Sequence, residues 1–118
     1  MAASRPFPEG HNIWEIALHI AVWERVVLRR LAGERVEPTS AEDWPPMTRT
    51  TEDAWRRVVA DLRQARSELH AALVAFDDRR LHETVPGRSY SFYVMAHGVV
   101  QHDLYHAGQI ALLKKAHP

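Results

Sequence analysis

Cysteine is absent from this 118-residue sequence. That removes disulfide frameworks, thiolate metal sites and any protein thiol nucleophile, so a metal site here must be built from nitrogen and oxygen donors. Charge of one sign is missing too. Fifteen lysines and arginines balance fifteen aspartates and glutamates, leaving no global field to draw the chain toward nucleic acid or anionic lipid. The pairs Arg29-Arg30, Arg56-Arg57 and Arg79-Arg80 are interleaved with acidic residues and read as solvated faces, so no nucleic-acid partner is expected. No apolar run approaches the roughly 20 residues needed to cross a bilayer, and the opening "MAASRPFPEG" lacks the apolar core of a secretory signal. The expectation is a cytoplasmic protein with no membrane partner. Repeats, low-complexity tracts and useful strand patterns are lacking as well, and the length suits one domain, residues 1–118.

What remains is helical. Ile13, Ile16, Ile20, Val27 and Leu31 recur on one face of a segment from about 12 to 32, bounded by Pro8 and Gly10 before it and Gly33 after it. Residues 34–50 carry Pro38, Pro45 and Pro46 and read as a long crossover loop, with Trp44 as a plug over the end of the core. Thr50 or Thr51 caps a second helix, about 51–76, whose seam is Trp55, Val58, Leu62, Ala65, Leu69, Ala72, Leu73 and Phe76. A turn around Pro86-Gly87 leads to a last helix, about 91–116, in which Gly98 and Gly108 suggest close packing against another element. The fold class is all-α, with three long helices.

Histidine is the over-used residue, with eight in the chain. In "VVQHDLYHAGQIALLKK", His102 and His106 lie one turn apart, in the sector shared with Met95, Val99, Gln109 and Leu113. His19 shares the inward sector of the first helix with Glu15, Trp23 and Val26. Two histidines from one helix and a third from a neighbour can give three nitrogens to a divalent metal, leaving a position for water or substrate. With eight histidines, roughly half of one His-x-x-x-His pair arises by chance, so the spacing alone is weak. The alternative is three core histidines satisfied by backbone carbonyls or by Glu15 and Gln109. Glu15 is the candidate to orient His19 or act as a general base, the alternative being a surface or bundle-lining carboxylate. Gln109 and Tyr105 are candidate substrate contacts, with packing as the commoner role for Tyr105. His11 caps the first helix or reaches the cavity mouth as a fourth ligand, His70 and His82 are boundary or solvated residues, and His97 falls about 140° from His102 and faces away.

The stretches "GHNIWEIALHIAVWE" and "HGVVQHDLYHAGQIALLKK" resemble the DinB/YfiT superfamily of metalloenzymes, over roughly Pro6 to Ala116. The resemblance implies a four-helix bundle of unusual connectivity holding one divalent metal, zinc or nickel, through one histidine on the helix after the first loop and two on the last helix. Those positions fall on His19, His102 and His106. It further implies a metal-dependent enzyme acting on small electrophiles, either a thiol S-transferase using a low-molecular-weight thiol (bacillithiol, mycothiol or glutathione) or a hydrolase. The alternative is a non-catalytic metal- or ligand-binding stress-response protein. Family members carry a full helix before the segment corresponding to "PFPEGHNIW", whereas Met1 stands only a few residues upstream of it here. The last helix also has a second apolar stripe, Tyr93, Val100, Leu104, Ala107 and Ala111, opposite its histidine face. Self-association as a homodimer or higher oligomer is expected to cover it, the rival explanation being a start site further upstream.

Overall fold

A computed structural model describes residues 1–116. Four helices follow one another: α1 (Ile13–Leu31), the single turn α2 (Ser40–Asp43), α3 (Glu52–Ala75) and α4 (Phe92–Ala116), with a 3-10 turn at Asp78–Arg80. Among the described residues there is no strand, only an isolated bridge between Thr84 and Ser91. The three long helices stand within a residue of their expected bounds. The 34–50 segment is the refinement: it contains α2, started by a capping box in which Thr39 and Glu42 exchange side-chain bonds with each other's amides.

Helix α1 is the axis of the molecule and packs against both α3 and α4, while α2 crosses it from the loop. It begins with a second capping box, between Asn12 and Glu15, and Asn12 is itself fully buried, its Nδ2 donating to the Ala3 carbonyl at 3.2 Å. The helix ends at Gly33, whose φ of 93° is the left-handed conformation that favours glycine. Its burial is not confined to one stripe: Ile13, Ile16, Ile20, Val27 and Leu31 are buried, and so are Trp14, Ala17, Ala21, Val26 and Arg30. Helix α3 is a surface helix in which only Ala65 and Leu69 are buried.

Two apolar clusters hold the bundle. One joins Val27, Leu31, Leu69, Phe92, Met95 and Val99 around Val85, which has no exposed surface. The other joins Ile13, Ile16, Ile20 and Leu113, with Trp44 and Trp55 packed against it. Full burial of each such side chain contributes roughly 1.5–3 kcal/mol. Trp44, expected to plug the end of the core, packs against this second cluster and also stacks on His19.

The stripe of α4 formed by Tyr93, Val100 and Leu104 is exposed in the single chain, at 46%, 54% and 67%. The expected close packing at Gly98 and Gly108 is not found within the chain, since a Cβ at either would meet nothing within 4 Å. The reason lies in how α4 docks: it rests on α1 through Met95, Val99, His106 and Leu113, and both glycines fall outside that line.

Between α3 and α4, over α1, runs a groove of about 620 Å³ lined by Ile20, Glu24, Leu62, Arg66, Asp103 and Ile110 among others. Glu24 is 1% exposed and its Oε2 has no hydrogen-bond partner. Burial, reinforced by the neighbouring Asp103 carboxylate and only partly offset by Arg66, pushes Glu24 up to about 7. A carboxyl whose folded pKa is raised stabilises the fold least above that value and regains stability as pH falls toward the unfolded value near 4.5. Glu24→Gln, which mimics the protonated form, should raise the unfolding free energy at pH 8 by on the order of 1–2 kcal/mol. The gain should vanish near pH 5 in denaturant titrations; an equal effect at both pH values would contradict this account.

Candidate metal centre

His19 comes from the middle of α1 and His102 and His106 from consecutive turns of α4, and the three rings meet where α4 crosses α1. The Nε2 atoms of His19 and His102 are 3.0 Å apart and those of His106 and His102 are 3.1 Å apart. His19 and His106 are buried and His102 is partly exposed, so the trio lies at the edge of the core with one open side.

The opposite nitrogens are held from outside. His19 Nδ1 lies 2.8 Å from the Asp43 carbonyl and 3.0 Å from Asp43 Oδ1, both pure acceptors, so Nδ1 carries the proton and donates. His106 Nδ1 donates to Gln109 Oε1 at 2.6 Å, and His102 Nδ1 faces Asp103 Oδ1 at 3.4 Å. With the protons of His19 and His106 on Nδ1, both their Nε2 lone pairs face His102 Nε2, which carries at most one proton and can donate to only one of them. At least one lone pair is left facing the centre without a donor. A cation removes the conflict, and the spacing is close to the ~3.3 Å edge of a tetrahedron of nitrogens each ~2.0–2.1 Å from one zinc-like ion. The donor set thus fits a divalent metal with three imidazole ligands.

Burial pushes His19 below the ordinary imidazole range, against the opposing pull of Asp43, and burial likewise lowers His106 against Gln109. Both are neutral at pH 7, the state in which imidazole binds metal.

Asp43 and Trp44, at the end of α2, carry the support that the helical periodicity did not reveal. The Asp43 carboxylate also accepts from Trp23 Nε1 at 2.6 Å. Trp44 lies parallel between His11 and His19, with ring centroids 3.7 and 3.8 Å away. The signal available in the sequence was the Thr39-x-x-Glu42 box, which marks a helix start just before Asp43.

Glu15 is placed elsewhere. Its carboxylate accepts from the Asn12 amide at 3.1 Å and pairs with Arg5 at 2.8 Å. Burial works against ionisation there, but Arg5 and the Asn12 amide together hold it below the usual carboxylate range. The side chain that orients His19 is Asp43. His11 stacks on Trp44, outside the trio of converging nitrogens, and His97 is exposed beside Tyr93, facing away from the site as expected. Gln109 contacts His106 directly and is reached by no other ring nitrogen in the cluster.

A family model for the DinB superfamily matches residues 2–110. The chain belongs to the DinB superfamily. Neither a curated protein nor a solved structure matches it at a significant level. In this DinB-superfamily chain the histidines singled out by helical face and by family motif are the same three that meet in space.

Two outcomes follow from this geometry. Replacing Asp43 by Ala should weaken zinc affinity roughly 10–100-fold with all three histidines intact, because the Nδ1–H of His19 loses its carboxylate and the ring its fixed orientation; competition against a chromophoric chelator measures this. Zinc occupancy should stay flat from pH 8 to 7 and fall at lower pH, because protons compete for His19 and His106 only as pH drops toward pKa values that burial has lowered. A decline already under way between pH 8 and 7 would contradict the burial argument.

Proposed function

We propose that this protein is a cytoplasmic metal-dependent enzyme that binds one zinc or nickel ion through His19, His102 and His106 and joins a low-molecular-weight thiol to a small electrophile, a C–S bond replacing the bond to a leaving group that departs as an anion while the thiol proton passes to solvent. The observation that carries the metal reading is the convergence of three Nε2 atoms whose opposite nitrogens are each turned toward an acceptor. A divalent ion held there supplies a Lewis acid that favours the thiolate of an incoming thiol at neutral pH. The chain's own residues do the rest: Asp43 and Gln109 hold the rings in one tautomer, and Trp44 shields one face of His19.

The preference for a thiol over water rests on the cavity beside His102. It is lined by Trp23, Val27, Met95, Val99 and other residues, none of them a carboxylate that could accept a proton from water. A thiol of pKa near 8.5 requires far less activation than water near 15.7. Metal identity and hydrolysis as the rival reaction are decided by the assay below.

The protein should be purified without a histidine tag or added metal and its metal content determined. We expect about one equivalent, lost in His19→Ala, His102→Ala and His106→Ala, and turnover of a thiol with an electrophile such as a haloarene by the loaded protein only. No metal, with no thermal stabilisation on adding zinc or nickel, overturns the reading. Metal without turnover of any thiol or hydrolysable ester reduces the protein to a metal-binding helical module.

We also propose that a second copy of the chain covers the exposed side of α4. Tyr93, His97, Val100, Leu104, Ala107 and Ala111 follow alternating steps of four and three, the spacing of a coiled-coil seam, and such a seam is complementary to itself across a two-fold axis. Sedimentation equilibrium should give a dimer that Leu104→Glu converts to monomer; a folded wild-type monomer at tens of micromolar would contradict it.

A further inference from the structure

Beside the histidine trio lies a cavity of about 340 Å³, at the small end of the roughly 300–1,000 Å³ range of small-molecule sites. Val27, Val94, Met95 and Val99 give it apolar walls, and its polar residues stand at the edges: His102 belongs to the metal centre, and Arg30 comes from the last turn of α1. Trp23 connects the two, its ring 6.1 Å from that of His102 and 5.7 Å from the Arg30 guanidinium carbon.

Arg30 is short of negative charge. It is 3% exposed. Its Nε and Nη2 donate to the Val36 carbonyl at 3.1 and 2.8 Å, Nη1 to the Tyr90 hydroxyl at 2.9 Å, and Nη2 to Glu37 Oε2 at 3.4 Å. These bonds use four of the five guanidinium N–H groups. Two of the three partners are neutral, and the one carboxylate, Glu37, is 60% exposed and shared with Arg88. Two cations thus face one solvent-screened anion, and of the three groups only Arg30 lines the apolar cavity. A buried guanidinium whose one anion is solvent-screened is under-compensated, and its remaining N–H, on Nη1, is left to donate to a carboxylate.

We propose that this cavity binds small amphipathic carboxylates, with the carboxylate on Arg30, the apolar body along Val27, Met95 and Val99, and the far end at His102. The proposal deepens the metal-centre reading and rests on it for which end reacts: the electrophile would be an organic acid with its reactive carbon several bonds from the carboxylate. Gly98 completes the wall, and a Cβ there meets nothing within 4 Å, so a larger side chain can enter the cavity without disturbing the helix.

Calorimetric titration of the chelator-treated and zinc-loaded protein at pH 8, with hexanoate and 1-hexanol as probes, tests this. Hexanoate should bind both forms at least tenfold more tightly than hexanol. Arg30→Met should abolish that preference, and Gly98→Leu should weaken hexanoate at least tenfold while raising thermal stability, since leucine is the better helix former. Should Arg30→Met fail to fold, the two probes on wild type and Gly98→Leu still decide. Equal affinities for the two probes, hexanoate binding indifferent to Gly98→Leu, or hexanoate binding only in the zinc-loaded form would each overturn the proposal. Zinc titration of the same samples separates the two readings: hexanoate preference without zinc binding removes the metal centre alone, and zinc binding without the preference removes the pocket alone.

Discussion

Three imidazole Nε2 atoms brought to one point are the constraint around which this molecule is arranged. Left to themselves, His19, His102 and His106 would rotate or protonate to escape one another. They are prevented by acceptors on the far side of each ring, Asp43, Asp103 and Gln109, and by the parallel stack of Trp44 on His19. Burial adds to this by disfavouring the charged form of His19 and His106. The arrangement is unfavourable for a stable apolar core and favourable for a cation, which is why the site reads as functional rather than structural.

The fold serves that point. Helix α1 is buried nearly all round, so His19, at its middle, has no freedom to move outward. Helix α4 lies on α1 along one line that carries Met95, Val99, His106 and Leu113, and the same line delivers His102 to the edge of the core. The proline-bearing segment between α1 and α3 is more than a connector. Its single helical turn brings Asp43 to the Nδ1 of His19 and to the indole of Trp23, and Arg30 fastens its early part through the Val36 carbonyl. On the other side of α4 the groove with Glu24 and the exposed Val100 and Leu104 is under-packed.

The long helices were legible because their apolar residues repeat with a period that only a helix satisfies, and their ends carry Asn12, Gly33 and Thr51 at cap positions. The histidine trio was legible because helical phase alone puts His102, His106 and His19 on inward faces. Asp43 and Trp44 were not, since a loop residue's position depends on where the chain returns, and periodicity carries no such information. Glu15 illustrates the opposite hazard: one turn before His19 on the helical wheel, it is drawn instead to the orphan Asn12 amide and to Arg5. Glycine inside a helix points to close approach, yet Gly98 and Gly108 border open space within the chain.

The most direct test of the central claim is X-ray absorption at the zinc edge of the stoichiometrically loaded protein. The account predicts a first shell containing three imidazole nitrogens at about 2.0–2.1 Å, with the multiple-scattering pattern of histidine, and one imidazole fewer in His102→Ala. A first shell of oxygens, or an imidazole count unchanged in that variant, would contradict it.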